Sequence, residues 1–154
     1  AGNEMMAEVV NSDAGMTRSQ GQQVPMTEVE LADARQDLYA AYLLHLPELG
    51  LTATLEGIDG TKASPEVVMT IEGAGGSKEL RFELMSGLLL SERSTREGPM
   101  GSVPVTITYS DYQAVKGIQF PMVAEQTAGG QSMSIEYSRI ELDPKLDAGA
   151  FKVD

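Results

Sequence analysis

Residues 103–109, V-P-V-T-I-T-Y, decide the fold. Apolar residues stand at every second position from Val103 to Tyr109, and Thr106 and Thr108 fall between them. Because successive side chains of a strand point to opposite faces, this alternation predicts a half-buried β-strand with one apolar and one polar face. Strands of this kind are typical of antiparallel sheets that pack one face against a core.

The same period of two continues along the rest of the chain after Gly50. Apolar residues alternate with Thr, Glu, Arg and Ser, or form short apolar runs, in six further stretches. These predicted strands lie at about residues 51–55, 67–71, 80–84, 88–96, 118–124 and 133–137. Turn residues separate the strands, and we predict turns at 57–60, 73–77, 86–87 and 110–111. The pattern predicts an antiparallel meander.

One long helix is predicted before these strands. Thr27 is a suitable N-cap, and Glu30, three residues on, completes a capping box. The span from Glu28 to about Leu46 contains neither Gly nor Pro, and Pro47 and Gly50 follow as stop signals. One face of this helix is apolar. Its members are Leu31, Ala34, Leu38, Tyr42 and Leu46. Since the apolar face of the sheet needs a cover, we predict that the helix packs on it. Two short strands, at 5–10 and 16–19, are predicted ahead of the helix, and the polar residues 19–23 are predicted to be a loop.

Charge and composition exclude several classes of protein. There are 11 Lys and Arg against 23 Asp and Glu, a net charge of −12, which repels phosphate backbones. We therefore predict no nucleic-acid partner. There is no cysteine, which excludes disulfides and thiolate chemistry. No run approaches the roughly 20 apolar residues of a membrane-spanning helix, so we predict a chain that does not span a membrane.

Candidate catalytic residues are scarce. His45 is the sole histidine, so neither a histidine-based metal site nor a Ser-His-Asp triad has its parts. The glycine-rich segment 73–78 lacks the spacing of a phosphate-binding loop and is followed by a predicted strand. We therefore predict no catalytic residues, no metal, no cofactor and no enzymatic activity. The rival is an enzyme that uses carboxylates alone, which would need paired acids in a cleft.

Three stretches carry a resemblance to a known family. Residues 82–89, F-E-L-M-S-G-L-L, resemble an F-D-x-x-T-G-L-L turn. Residues 109–121 resemble a Y-x-D-Y-x-x-x-x-G-I-x-x-P strand-turn-strand. Residues 140–143, with Phe151, resemble the closing strand and tail of the same pattern. The set resembles the LolA/LolB-like group, the outer-membrane lipoprotein-sorting fold. It is most similar to the version found as an accessory region beside insulinase-like zinc proteases.

The resemblance implies an α+β, mainly β fold. Its sheet would be a strongly curved antiparallel one, an incomplete barrel, with the long helix on its concave face. Residues 1–154 would form a single LolA-like domain, which we expect to be a fragment of a longer protein. We expect a periplasmic or cell-envelope location, with the signal or an upstream domain outside this sequence. The motif residues are expected to be structural: Gly87 and Gly117 suit positive φ, and Asp111 suits a hydrogen bond to its own turn.

Our leading hypothesis is a non-catalytic envelope module that holds an apolar ligand, such as a lipid acyl chain, between sheet and helix. Nine methionines suit an adaptable apolar site, although methionine also fills ordinary cores. The predicted ligand-binding residues are Leu38, Tyr42, Leu46, Phe82, Leu84, Ile107, Phe120 and Met122. The alternative is a structural or interaction domain accessory to a peptidase or other envelope protein. Its partner would be an apolar peptide segment or a neighbouring domain, with no small ligand.

Overall fold

Ten strands and one α-helix occur in the residues that the structure describes. The structure, a computed structural model, describes residues 6–10, 14–19, 22–35, 42–98, 101–142, 144 and 145. The elements are β1 (Met6–Val10), β2 (Gly15–Ser19), β3 (Gln22–Pro25), α1 (Glu28–Ala34), β4 (Thr52–Gly60), β5 (Pro65–Gly73), β6 (Gly76–Glu83), β7 (Leu89–Gly98), β8 (Gly101–Val115), β9 (Ile118–Ala128) and β10 (Gln131–Glu136). The chain divides into two compact units, one of residues 1–52, 73–75 and 145–154, the other of residues 53–72 and 76–144.

The first unit contains a three-stranded antiparallel sheet in the order β1-β2-β3. Gly15, at the start of β2, is buried, and a Cβ built on it would lie 2.4 Å from Met26 Sδ and 3.0 Å from Leu31 Cδ1. A larger residue there would displace the ends of these two side chains, so the packing favours glycine. Strand β3 overlaps the predicted loop at its first two residues, Gln22 and Gln23. All four of its side chains are exposed, so the backbone ladder with β2, which periodicity does not reveal, holds it in place.

Helix α1 begins at the predicted capping box. The Thr27 N–H donates to Glu30 Oε2 at 2.8 Å, and the Glu30 N–H donates to Thr27 Oγ1 at 3.3 Å. The backbone bond from Thr27, with a second from its hydroxyl, lowers the pKa of the Glu30 carboxyl. This reciprocal pair satisfies two of the N–H groups that a helix start leaves open.

The prediction of one long helix from Glu28 to about Leu46 is wrong. The α-helix ends at Ala34, and Tyr42–Leu44 form a 3-10 turn in which the His45 N–H donates to the Tyr42 carbonyl at 2.8 Å. Pro47 explains the change near the end, because its ring conflicts with α-helical geometry in the preceding turn. Leu38 lies outside the described residues.

Gly50 closes this segment as predicted. Its φ is 65°, its N–H donates to the Pro47 carbonyl at 3.1 Å, and the Leu51 N–H donates to the Leu46 carbonyl at 2.7 Å. These two bonds have the spacing of a Schellman motif, in which glycine takes the left-handed conformation.

The second unit is built on a seven-stranded antiparallel sheet in the order β10-β9-β8-β7-β6-β5-β4. Each strand lies beside its neighbour in sequence, so the predicted meander is confirmed, as is the mainly β composition. Within the described residues β4 and β10 are the two edges, and the sheet is not a closed barrel. Its predicted strong curvature remains a prediction.

Two-residue turns join the last three strands. Between β8 and β9, Lys116 and Gly117 have φ values of 49° and 86°, and Gly129 and Gly130 between β9 and β10 have 56° and 80°. Positive φ at both central positions is typical of the type I′ turn, whose twist matches that of the strands. The positive φ predicted for Gly117 is confirmed, and Gly87, with φ of 72°, agrees too.

Two predicted turns lie inside strands. Residues 57–60 belong to β4, and residues 110–111 belong to β8. Gly57 and Asp111 have φ values of 144° and 52°, which glycine and aspartate tolerate. In β8 the pairing keeps its register on both sides of Asp111, so this residue changes the backbone conformation without ending the strand.

Candidate ligand-binding face

The second sheet has two faces of opposite character. The buried residues Leu80, Val105, Met122 and Ala124 lie on one side, which we call the apolar face. The other side, the polar face, carries residues such as Arg81, Thr108 and Glu125. Paired residues of neighbouring strands share a face, so the register of the ladders assigns each side chain to one side.

The register aligns one residue from each of five strands in a row across the apolar face. From β6 to β10 these are Leu80, Glu92, Ile107, Gln126 and Met133. Ile107 thus lies on the central strand of this row and is half-buried. The row contains three apolar and two polar residues, so the apolar face has polar groups within it.

Four of the predicted ligand-binding residues fall on the apolar face. Ile107 and the buried Met122 are placed there by the β8–β9 register, and Phe120 follows by alternation with Met122. Phe82 pairs with Leu89 beyond a register shift in the β6–β7 ladder and is half-buried. The structure therefore assigns to one surface four side chains that are up to 40 positions apart in the sequence.

The other predicted site residues have different positions. Leu84 lies in the turn after β6 and is exposed, with its N–H donating to the Pro65 carbonyl at 3.0 Å. Tyr42 and Leu46 belong to the first unit and are half-buried, and Leu38 is not among the described residues. That these four share a site with the sheet residues remains a prediction.

Sequence reasoning missed a charged pair on the apolar face. Lys78 Nζ lies 3.7 Å from Glu92 Oε1, and the two side chains are only 18% and 15% exposed. Glu92 stands between Leu80 and Ile107 in the row, and Lys78 is paired with Ser94. Charges removed from water in this way are stabilised by pairing.

A signal for this pair exists in the sequence. Residues 91–97, S-E-R-S-T-R-E, contain no apolar side chain, although apolar strands stand on both sides in the meander. Whichever phase this strand takes, it must put polar groups on the apolar face. The strand itself was predicted, but the consequence for the face was not.

The apolar face ends in exposed apolar residues at β10. Met133 and Ile135 are 53% and 39% exposed, and Tyr137, whose N–H donates to the Met122 carbonyl at 2.8 Å, is 45% exposed. Alternation puts all three on the apolar face. This end of the face is thus open to solvent and apolar.

The polar face holds an ion network around Arg81. Its guanidinium contacts Glu79 at 2.9 Å, Asp59 at 2.9 Å and Glu66 at 3.2 Å, which links β4, β5 and β6. The hydrogen bond from Arg81 lowers the pKa of the Asp59 carboxyl, and the three carboxylates, Glu79 foremost, raise the pKa of Arg81. The network therefore joins three neighbouring strands on the polar face.

Hydrogen bonds connect the three stretches that carry the family resemblance. The Tyr112 hydroxyl of the second stretch donates to the carbonyl of Leu89 in the first, and burial raises the pKa of this hydroxyl. Lys116 Nζ of the second donates to the carbonyl of Leu142 in the third at 3.1 Å. The motifs therefore contribute to how the strands are held together.

The first stretch closes its own turn. Glu83 accepts hydrogen bonds from the Ser86 N–H at 2.8 Å and the Met85 N–H at 3.2 Å, and the bonds to Ser86 lower the pKa of Glu83. Asp111, expected to bond its own turn, accepts instead from the side chain of Gln113 at 3.3 Å. Glu83 thus has a structural role, as predicted for the motif residues.

A solved structure shares this architecture. A LolA superfamily protein from Nitrosomonas europaea superposes with a TM-score of 0.67 over 96% of this chain and 70% of that one, at 12% sequence identity. The chain has a LolA-type fold. The predicted resemblance is confirmed at the level of the fold, and the accessory context beside insulinase-like proteases stays a prediction. No protein-family model and no curated protein matches the sequence.

In the described part of the chain, no three His, Cys, Asp or Glu side chains group as ligands for a metal ion. Across the same residues, no helix is long and apolar enough to cross a membrane.

Proposed function

We propose that this protein is a non-catalytic binding module of the cell envelope that holds an apolar ligand, such as a lipid acyl chain, against the apolar face of its second sheet. One observation carries the proposal: Phe82, Ile107, Phe120 and Met122 share this face, and three of them are half-buried. When a ligand covers apolar surface that is still partly exposed to water, the free energy of the system falls.

The size of the gain fits an acyl chain. Burial of each methylene contributes about 0.8 kcal/mol. A chain of about a dozen methylenes therefore contributes about 10 kcal/mol, which is comparable to the estimated cost of association of about 4–15 kcal/mol.

The charged pair on this face favours a ligand with a polar end. A wholly apolar molecule laid over Lys78 and Glu92 would remove their remaining contact with water without replacing it. An acyl chain along the row of Leu80 and Ile107, with its polar head beside the pair, avoids that cost. The ligand class we propose is thus an amphiphile, such as a fatty acid or a lipid.

The proposed location and partners follow from the same fold. A LolA-type fold supports a periplasmic or envelope setting, in which a carrier keeps acyl chains from water. A neighbouring domain of the same polypeptide, or an apolar segment of another protein, is the alternative occupant of the face.

The test compares substitutions at adjacent positions on opposite faces. Native mass spectrometry of the purified chain should show a lipid adduct, and a dansyl-labelled long-chain fatty acid should gain fluorescence on binding. Ile107→Glu should weaken binding of this probe by at least about tenfold, because it places a charge on the face. Thr108→Glu is the matched control, since the same charge then points to the polar face, and binding should be unchanged.

Circular dichroism spectra of both variants, compared with the wild type, check that each remains folded. A chain free of lipid that also fails to bind the probe would reject this function and favour the accessory interaction domain. Equal binding by the two variants would place the ligand elsewhere than on the apolar face.

A further inference from the structure

Strand β10 is an edge of the second sheet. All six of its residues are exposed, and among the described residues it pairs with β9 on one side and with no strand on the other. The Tyr137 N–H donates to the Met122 carbonyl. Because N–H directions alternate along a strand, the N–H and C=O groups of Ser132, Ser134 and Glu136 point away from β9.

This edge lacks the features by which proteins usually block edge strands. Its register with β9 runs without a shift from Gln131 to Glu136, and it contains no Pro, no Lys and no charge on its apolar side. The opposite edge, β4, differs: Gly57 takes φ of 144° in the middle of the strand, and Asp59 is held by Arg81. One edge is therefore irregular, and the other is a strand with an unbroken register.

The side chains at this edge define what would pair with it. On the apolar side stand Met133, Ile135 and Tyr137, all exposed. On the polar side stand two exposed acids, Glu136 on β10 and Glu125 opposite Ser134 on β9. Neither acid forms an ion pair with any other described residue.

We propose that β10 is a docking edge to which an extended segment of a basic partner protein adds as an antiparallel strand. The segment alternates apolar residues, which contact Met133 and Ile135, with Lys or Arg, which face Glu125 and Glu136. Main-chain hydrogen bonds to Ser132, Ser134 and Glu136 provide affinity, and the alternating side chains provide specificity.

A second copy of this chain is the less suitable occupant. Each chain carries a net charge of −12, so two copies repel each other, whereas a basic segment is attracted. The docking edge adjoins the proposed lipid site, because Met133 belongs both to the ligand row around Ile107 and to the apolar side of β10. The outward main-chain groups of β10 lie outside that row.

The test uses the full chain and a blocked hexapeptide of alternating lysine and valine, labelled for fluorescence anisotropy. The wild-type chain should bind this peptide, and hydrogen exchange should show new protection at Ser132, Ser134 and Glu136. Ser134→Pro should weaken binding by at least about tenfold, because it removes an outward donor and blocks the added strand. It leaves the β9–β10 ladder intact, as edge positions with outward N–H groups tolerate proline.

Ser134→Val is the matched variant that keeps the N–H, and it should bind as the wild type does. Because the proline variant could lose its fold, a peptide N-methylated at alternate residues gives an independent result with wild-type protein and should not bind. A peptide of alternating glutamate and valine should also fail to bind. Equal affinity for the methylated peptide, unchanged binding by Ser134→Pro, or a wild-type dimer abolished by Ser134→Pro would each overturn the proposal. Retained binding of the fatty-acid probe by Ser134→Pro distinguishes this site from the lipid site.

Discussion

The two faces of the seven-stranded sheet handle charge in opposite ways. On the polar face Arg81 shares its charge among three carboxylates at 2.9–3.2 Å. On the apolar face Lys78 stands 3.7 Å from Glu92, with both side chains largely removed from water. The two cations are similarly shielded, at 19% and 18% exposure, but the carboxylates around Arg81 are 27–60% exposed against 15% for Glu92. Solvent therefore screens the first arrangement more than the second. Charged side chains thus join neighbouring strands on the polar face, whereas on the apolar face they form one shielded ion pair among apolar residues.

The largest difference between the two faces should be in how much their side chains contribute to the free energy of unfolding. Leu80 is fully buried on the apolar face. Leu80→Ala should lower the free energy of unfolding by about 2–5 kcal/mol, because it loses buried surface and leaves a cavity. Urea unfolding followed by circular dichroism measures the change.

Thr108→Ala on the polar face is the comparison and should change stability by less than about 0.5 kcal/mol. If both substitutions cost the same, the assignment of the faces would be wrong.

The second prediction concerns the charged pair. Glu92→Leu should lower the free energy of unfolding by about 1–3 kcal/mol, because it leaves Lys78 without this carboxylate in a largely buried position. The double variant Lys78→Met with Glu92→Leu should recover most of this loss, since two apolar side chains suit the face.

A double-mutant cycle with Lys78→Met alone measures the coupling between the two residues. Additive losses in the double variant would mean that the two charges do not depend on each other. Loss of discrimination between a fatty acid and a plain alkane in the double variant would further support the proposed polar-end preference.

The smallest effect is expected on the polar face. Arg81→Met should cost about 1 kcal/mol at neutral pH, and less at high salt, because solvent screens the network. The pKa of Asp59 is lowered by Arg81, so the unfolded state binds more protons than the folded state as pH falls. The contribution of this pair is therefore present above the ordinary carboxyl pKa of about 4 and is lost as pH falls through the lowered value.

Unfolding measured from about pH 7 to about pH 3 should show the gap between wild type and Arg81→Met closing at the acid end. Arg139→Met is the control, because its partner Glu141 forms an exposed pair two residues away, and it should have no measurable effect. A gap that widened in acid would contradict a lowered pKa of the Asp59 carboxyl.

Local patterns in the sequence predicted much of the architecture. The period of two predicted the meander, and the Thr27–Glu30 capping box predicted the start of α1. Gly50 predicted the end of the segment that lies between α1 and β4. Each is a local property, since hydrogen-bond closure, side-chain alternation and glycine conformations depend on a few neighbouring residues. The prediction of a long helix was wrong because its apolar face was extended through Tyr42–Leu44, where the structure has a 3-10 turn before Pro47.

The candidate site was only half predictable. Phe82, Ile107, Phe120 and Met122 could be placed on one face from their phase within each strand. The face on which Glu92 lies could not be predicted, because residues 91–97 are all polar and their alternation does not show which of them face the core.

By itself the sequence determined the approximate positions of most strands after Gly50, where several of the turns lie, and that the chain carries too few histidines for histidine-based chemistry. Only the tertiary structure decided that Glu92 stands beside Ile107, that Tyr112 bonds Leu89, and that β10 is an edge of the sheet in the part of the chain that the structure describes. The physical reason is that strand pairing joins residues far apart in the chain. The partner of each side chain therefore depends on register and strand order, which alternation within one strand does not specify.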